Sequence, residues 1–260
     1  MSSAIVIPQP RPIVYPETDG LPMAENTKQF DAIVAIKENL EILFADDRQV
    51  FVAGDLFWYP EEGNNKLRVA PDTLVVFGVP KGPRGSYRQW QEKGIAPQVV
   101  FEVLSPGNRL AEMTDKFAFY DRHGVEEYYV FDPDDGLWDG WLRRDGRLQR
   151  IESMHNSVSP RLGIRFESVE GTALALYRPD GERFRSPLEM DRLRREAAER
   201  AELDRRAREQ AQQRADAAAQ RADAAEQRAD AAEQRADAAE QRAARLAAQL
   251  RAAGIDPNGG

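Results

Sequence analysis

The sequence has no cysteine and only two histidines, His123 and His155. A disulfide framework and thiolate metal sites are thereby excluded, and a reducing compartment is the natural setting. The histidines are not spaced as a metal pair, and His123 reads as a helix C-terminal residue, where the dipole favours a cation. Two further features are missing: an apolar run long enough to span a bilayer, and a basic segment ahead of an apolar one. A soluble, cytoplasmic protein with no membrane partner is therefore expected. Gly82 and Gly85 are not followed by the lysine and helix of a phosphate-binding loop, and no Ser/His/Asp constellation stands out. Positive charge is also short. Of the formal net charge of -8, residues 191–260 carry none, with 14 Arg against 14 Asp and Glu, leaving 22 basic and 30 acidic residues in the first 190. Such a chain is no general nucleic-acid binder; any such contact needs a local patch and a metal ion that offsets carboxylates.

What is present divides near residue 187, where a mixed composition gives way to Ala, Arg, Glu, Asp and Gln. Residues 1–22, with five prolines, are expected to be extended, 23–186 to form an α/β domain, 187–253 a helix and 254–260 a disordered tail. Apolar residues at helical spacing from Glu25 to Phe44 predict a first helix. Strands are predicted over Gln49–Tyr59, Thr73–Phe77 and Gln98–Leu104, and a second helix over Leu110–His123, closed by Gly124. A strand over Glu127–Phe131 follows, then hairpins at Asp145-Gly146 and Asp180-Gly181. The core order is α-β-β-β-α-β.

Two acidic residues stand out against this background. Asp72 precedes one apolar strand and Glu102 is embedded in another, and a carboxylate inside a sheet costs several kcal/mol unless it is compensated. The compensation is either a pairing Lys or Arg, or a divalent cation shared by both; for two such groups on adjacent strands the cation is favoured. A Mg²⁺ site of this kind suits phosphodiester hydrolysis. Lys116, on the helix after Glu102 and face-matched to Glu112, Phe119 and Tyr120, either points to the strand ends or is solvated. Between the two strands, Lys81, Arg84, Tyr87, Arg88, Trp90 and Lys93 combine basic and aromatic side chains, as a nucleic-acid-contacting loop or as an ordinary solvated one.

These residues carry a resemblance. Pro71-Asp72-Thr73-Leu74-Val75-Val76-Phe77-Gly78, Phe101-Glu102-Val103-Leu104-Ser105-Pro106, Asp115-Lys116-Phe117 with Tyr120, and Gly124-Val125-Glu126-Glu127-Tyr128-Tyr129 together resemble the Uma-two family of restriction endonuclease-like proteins, over roughly residues 23–178. That family lies within the PD-(D/E)XK nuclease superfamily. The resemblance implies a restriction-endonuclease-like α/β core with a mixed central sheet, dependence on Mg²⁺ with Mn²⁺ as a substitute, and DNA as substrate. It also implies Asp72 and Glu102 as metal ligands, with the main-chain carbonyl of Val103 as a third. The superfamily's lysine would fall at position 104, which is Leu104 here, so the amine is expected from Lys116. Leu104 equally supports a rival reading, a catalytically inert nucleic-acid-binding or scaffolding protein. Glu25 is matched to an acidic residue of the first helix, and Gln29 stands where relatives carry His.

In the tail, Gln-Arg-Ala-Asp-Ala-Ala-Glu recurs every seven residues from Gln213, with Ala219 in place of Glu in the first copy. With Ala215 at a and Ala218 at d, the seam runs through successive alanines to Leu246 and Leu250. Arg221, Arg228 and Arg235 then occupy g and Glu226, Glu233 and Glu240 occupy e, the partners of a parallel two-stranded coiled coil. A homodimer through this coil is expected. Alanine contributes little burial, and the alternative is a single exposed helix.

Overall fold

A computed structural model describes residues 13–20, 22–107, 110–171 and 174–252. Helix α1, Thr27–Leu43, begins at Asn26, whose side chain accepts from the Gln29 amide and satisfies one of the free N–H groups of the first turn. Its periodic apolar face buries Ala32, Ile33, Ile36 and Leu40. Ten strands follow around a second helix: β1 Val50–Ala53, β2 Trp58–Tyr59, β3 Thr73–Phe77, β4 Tyr87–Arg88, β5 Val99–Val103, α2 Leu110–Arg122, β6 Glu127–Asp132, β7 Leu137–Arg144, β8 Arg147–Arg150, β9 Arg165–Phe166 and β10 Leu176–Tyr177.

Six of the strands form the main sheet, in the order β1-β3-β5-β6-β7-β8. Within it β5 and β6 are parallel and the other pairs antiparallel, so the sheet is mixed. A parallel pair needs a crossover, and α2 supplies it. The unbroken apolar character of β3 and β5 is that of strands covered on both faces. On one face Val75, Phe101 and Val103 pack against α1; on the other Leu74, Val76 and Val100 pack with Tyr120 of α2 and Tyr128. Within the main sheet the order helix, three strands, helix, strand stands as the periodicity predicts.

One predicted element differs. The run Gln49–Tyr59 is broken at Gly54 and Asp55, where Asp55 takes a left-handed φ of 48° and donates its amide to the Pro71 carbonyl. The chain leaves the sheet there, and Trp58–Tyr59 pair with β4 in a separate parallel ladder. The hairpin expected around Asp180-Gly181 is present in short form: Tyr177 bridges Arg183, the Arg178 amide donates to the Glu182 carbonyl at 2.8 Å and the Phe184 amide to the Leu176 carbonyl at 2.7 Å, and β10 also pairs with β9. The hairpin at Asp145-Gly146 is present: both residues have positive φ, 49° and 79°, matching the two-residue turn that twisted antiparallel strands require.

Helix α3, Pro187–Ala252, runs for 66 residues, opening on a reciprocal box in which the Ser186 hydroxyl accepts from the Glu189 amide and Glu189 accepts from Ser186. The chain divides into compact units at Met1–Asp191 and Arg192–Gly260. The segments expected to be extended before residue 13 and disordered after 253 lie outside the described residues. Just ahead of α3, buried Asn39 donates to the Arg185 carbonyl at 2.7 Å and accepts from its amide at 3.1 Å. Asn39→Ala leaves both backbone groups unpaired and is expected to cost about 2 kcal/mol; a urea melt unchanged from wild type would show that this clamp contributes nothing.

Candidate active site

The carboxylates at positions 72 and 102 come together because β3 and β5 are neighbours and both side chains fall on the α2 side of the sheet. Register pairs Thr73 with Phe101, which sets Asp72 beside the end of β5. One Asp72 oxygen, Oδ2, accepts from the Val103 amide at 2.6 Å. Glu102, 2 % exposed, accepts from Lys116 Nζ at 2.8 Å and from the Tyr120 hydroxyl. Lys116 and Tyr120 lie four residues apart on α2, so both point down onto β5. Of the two compensations open for a buried carboxylate, a pairing lysine and a cation, the first is therefore present at Glu102. It leaves one ammonium facing two carboxylates.

The electrostatics follow from that imbalance. Burial and the neighbouring Glu102 push Asp72 well above the usual carboxylate range, against the pull of Lys116 and the Val103 amide. Burial would lower the Lys116 ammonium, but Glu102 and Asp72 outweigh it and hold the lysine above its ordinary value. Lys116 is thus a cation and a donor rather than a base. The Val103 carbonyl accepts from Gln29 Nε2 at 3.0 Å, and a carbonyl's second lone pair is left for another partner. Glu25 accepts from the Ser105 hydroxyl and the Gly107 amide, tying down the turn after β5. Leu104 lies on the same face as Glu102 and packs beside Met113, Phe117 and Trp141, so the place of a lysine there is filled by apolar contact.

Among the described residues, no three His, Asp or Glu side chains cluster closely enough to hold a metal ion by themselves. The donor set here is different: two carboxylates, one of them reluctant to ionise beside the other, and a main-chain carbonyl. These are hard oxygen donors with a surplus of negative charge, which suits Mg²⁺ or Mn²⁺, ions that take one or two carboxylates and complete their shell with water and substrate.

Asp55 is a residue that the pattern alone does not single out. Burial and Asp19 raise its carboxyl, and it also feels Lys116 and Glu102, so a third carboxylate borders the site. Its only sequence signal is the glycine before it in an otherwise strand-like run. Arg68 is a second. With Val69, Glu112, Asp115, Lys116 and Phe119 it lines a groove of about 500 Å³, and its guanidinium lies 4.6 Å from the Phe57 ring centre.

The basic loop is put to structural use. Tyr87 is fully buried with its hydroxyl donating to the Ile95 carbonyl at 2.7 Å, so its ring is closed to a base, contrary to the expectation for a contacting loop. Arg84 pairs with Glu92 at 2.6 Å and lies over Phe51, Lys81 donates to the Phe44 and Ala45 carbonyls, and Arg88 lies over Tyr15. Lys93 is exposed. The groove that Lys81 and Arg84 line along β1, about 630 Å³, includes none of Asp72, Glu102 and Lys116. His123 packs against Phe119 and Trp58.

Residues 21–176 match the family Uma2, described as "Putative restriction endonuclease". Among solved structures, the chain is similar to one described as a putative nuclease belonging to DUF820 from Anabaena variabilis ATCC 29413, at 14% identity and a TM-score of 0.39, covering 52% of this chain and 72% of that one. That overlap is too loose to place individual residues. No curated protein matches. The family match spans more than half of the chain and contains Asp72, Glu102, Lys116 and Tyr120, and the chain therefore belongs to the Uma2 family.

Proposed function

We propose that the α/β head is a metal-dependent endonuclease that hydrolyses DNA phosphodiester bonds. The observation that carries this reading is the pairing of Asp72 with Glu102 across β3 and β5, with Lys116 as the one ammonium set against both. Asp72, Glu102 and the Val103 carbonyl would hold Mg²⁺, or Mn²⁺ in its place. When bound, such an ion polarises a phosphate oxygen and lowers the pKa of water. Lys116 keeps its proton and faces the same centre, where it offsets charge gathering on the phosphorus oxygens. Arg68 lines the groove that leads to Lys116 and provides a local cation for a phosphate on an otherwise acidic head. A cytoplasmic location belongs to the same reading; among the described residues no helix is long and apolar enough to cross a membrane.

Nicking of supercoiled plasmid with Mg²⁺ or Mn²⁺ tests it. Wild type is expected to nick and Asp72→Ala to lose at least about a hundredfold in rate; equal cleavage by both would sink the proposal. Leu104 favours a second reading, an inert nucleic-acid-binding or scaffolding protein that keeps the fold. Calorimetry in which Mn²⁺ gives no heat that depends on Asp72 and Glu102 would support that one.

For α3 we propose parallel pairing with a second copy, Arg221, Arg228 and Arg235 facing the Glu226, Glu233 and Glu240 of the other helix. The charge pattern supports it, and no residue of α3 is buried in the single chain. Light scattering on the full chain should give the dimer mass, and Arg→Glu at all three arginines should shift it toward monomer; a wild-type monomer at tens of micromolar would rule pairing out.

A further inference from the structure

Two groups divide the Glu102 carboxylate. Lys116 Nζ takes Oε2 at 2.8 Å and the Tyr120 hydroxyl takes Oε1. The terminal torsion of a glutamate is soft, so a carboxylate held by one donor pivots, while donors on both oxygens fix its plane. Tyr120 is itself immobilised by contacts that do not involve its hydroxyl: it is fully buried, its ring lies parallel to Trp58 at 6.4 Å, and it packs on Tyr128 at 5.1 Å. A phenol also donates without adding charge. A second lysine in its place would cancel the negative charge that the carboxylate pair offers to a cation.

We propose that Tyr120 is a positioning residue whose hydroxyl fixes the plane of the Glu102 carboxylate, so that one orientation serves Lys116, Asp72 and a bound divalent cation. This rests on the reading of Asp72 and Glu102 as the cation-holding pair. Tyr120 acts through Glu102 and touches neither cation nor substrate. Partners of this kind, one bond removed from a metal ligand, are typically worth 10- to 100-fold in metal affinity or activity.

Tyr120→Phe keeps the ring and removes only the donor. Calorimetry with Mn²⁺ alone, without DNA, is expected to show a dissociation constant about tenfold higher. Plasmid nicking should show kcat reduced about 10- to 100-fold with KM for DNA unchanged within about twofold. Tyr129→Phe is the control, since it removes another buried phenol that donates to a buried glutamate, Glu127, at 2.9 Å on the opposite face of the sheet and leaves both bonds to Glu102 in place; it should retain wild-type Mn²⁺ affinity. Wild-type Mn²⁺ affinity and kcat in Tyr120→Phe would overturn the inference. Two other results would do the same: an equal loss of affinity in Tyr129→Phe, or failure of Tyr120→Phe to fold, because a hydroxyl that only orients a carboxylate is dispensable for folding. Wild-type protein that binds no Mn²⁺ would overturn the metal reading beneath it, a failure distinguishable because it appears without any substitution.

Discussion

Asp72→Asn is expected to abolish cleavage and at the same time to make the head more resistant to heat. The amide oxygen can still accept from the Val103 amide, which Asp72 holds at 2.6 Å, so the local geometry survives. What is lost is a charge that burial and Glu102 both disfavour. A carboxyl whose folded pKa lies above its unfolded value binds its proton more tightly in the folded state. Its contribution to stability is full below the unfolded value, near 3.9, and is lost as pH rises through the raised folded value. At neutral pH wild type therefore carries a penalty that Asp72→Asn removes. The variant should therefore melt above wild type at neutral pH. Thermal melts between pH 4 and pH 8 should show wild type losing stability relative to Asp72→Asn across this range. Parallel curves would mean that Asp72 is not strained in the fold. Divalent cation should raise the wild-type Tm and leave that of the variant nearly unmoved, since only the former presents the full donor pair.

Lys116→Met is expected to have the opposite effect on stability. Lys116 is 19% exposed at its side chain and Glu102 only 2%, so its ammonium is the cation held against two shielded carboxylates. Breaking one side of a buried ion pair strands the other, at about 3–5 kcal/mol. In a head of this size a loss near the lower end is a fall in Tm of roughly 10 °C. Nicking should fall by about 10²–10³, the cost of one preorganised donor at a centre of developing charge. Part of the lost stability should return with millimolar Mn²⁺, because the ion supplies the positive charge that the ammonium no longer does. A variant that melts with wild type would show that the pair is not coupled to folding. A variant that nicks normally would remove Lys116 from the site and strengthen the inert reading that Leu104 suggests.

Several of these residues were legible from the chain alone. An acidic side chain in an apolar strand, as at Glu102, or just ahead of one, as at Asp72, is visible without a structure because it violates the local pattern. The same holds for the break in composition near residue 187 and for the Asp145-Gly146 turn. Lys116 was legible only as one of two possibilities, since helical spacing states which face a residue occupies and not what that face meets.

The sequence by itself determined the elements whose causes are local: helices from 3.6-residue periodicity, central strands from unbroken apolar runs, the long C-terminal helix from its run of strong helix formers. Only the tertiary structure decided which of those faces meet. Gln29 reaches the Val103 carbonyl across 74 residues, and Asp72 reaches the Val103 amide across 31. Asp55 comes to border the site because the chain turns out of the sheet at Gly54, and Tyr87, which composition offers to a base, is instead consumed by the core. Pairing register and helix placement set these contacts, and both are fixed by the sum of burial over the whole sheet rather than by any neighbouring residue.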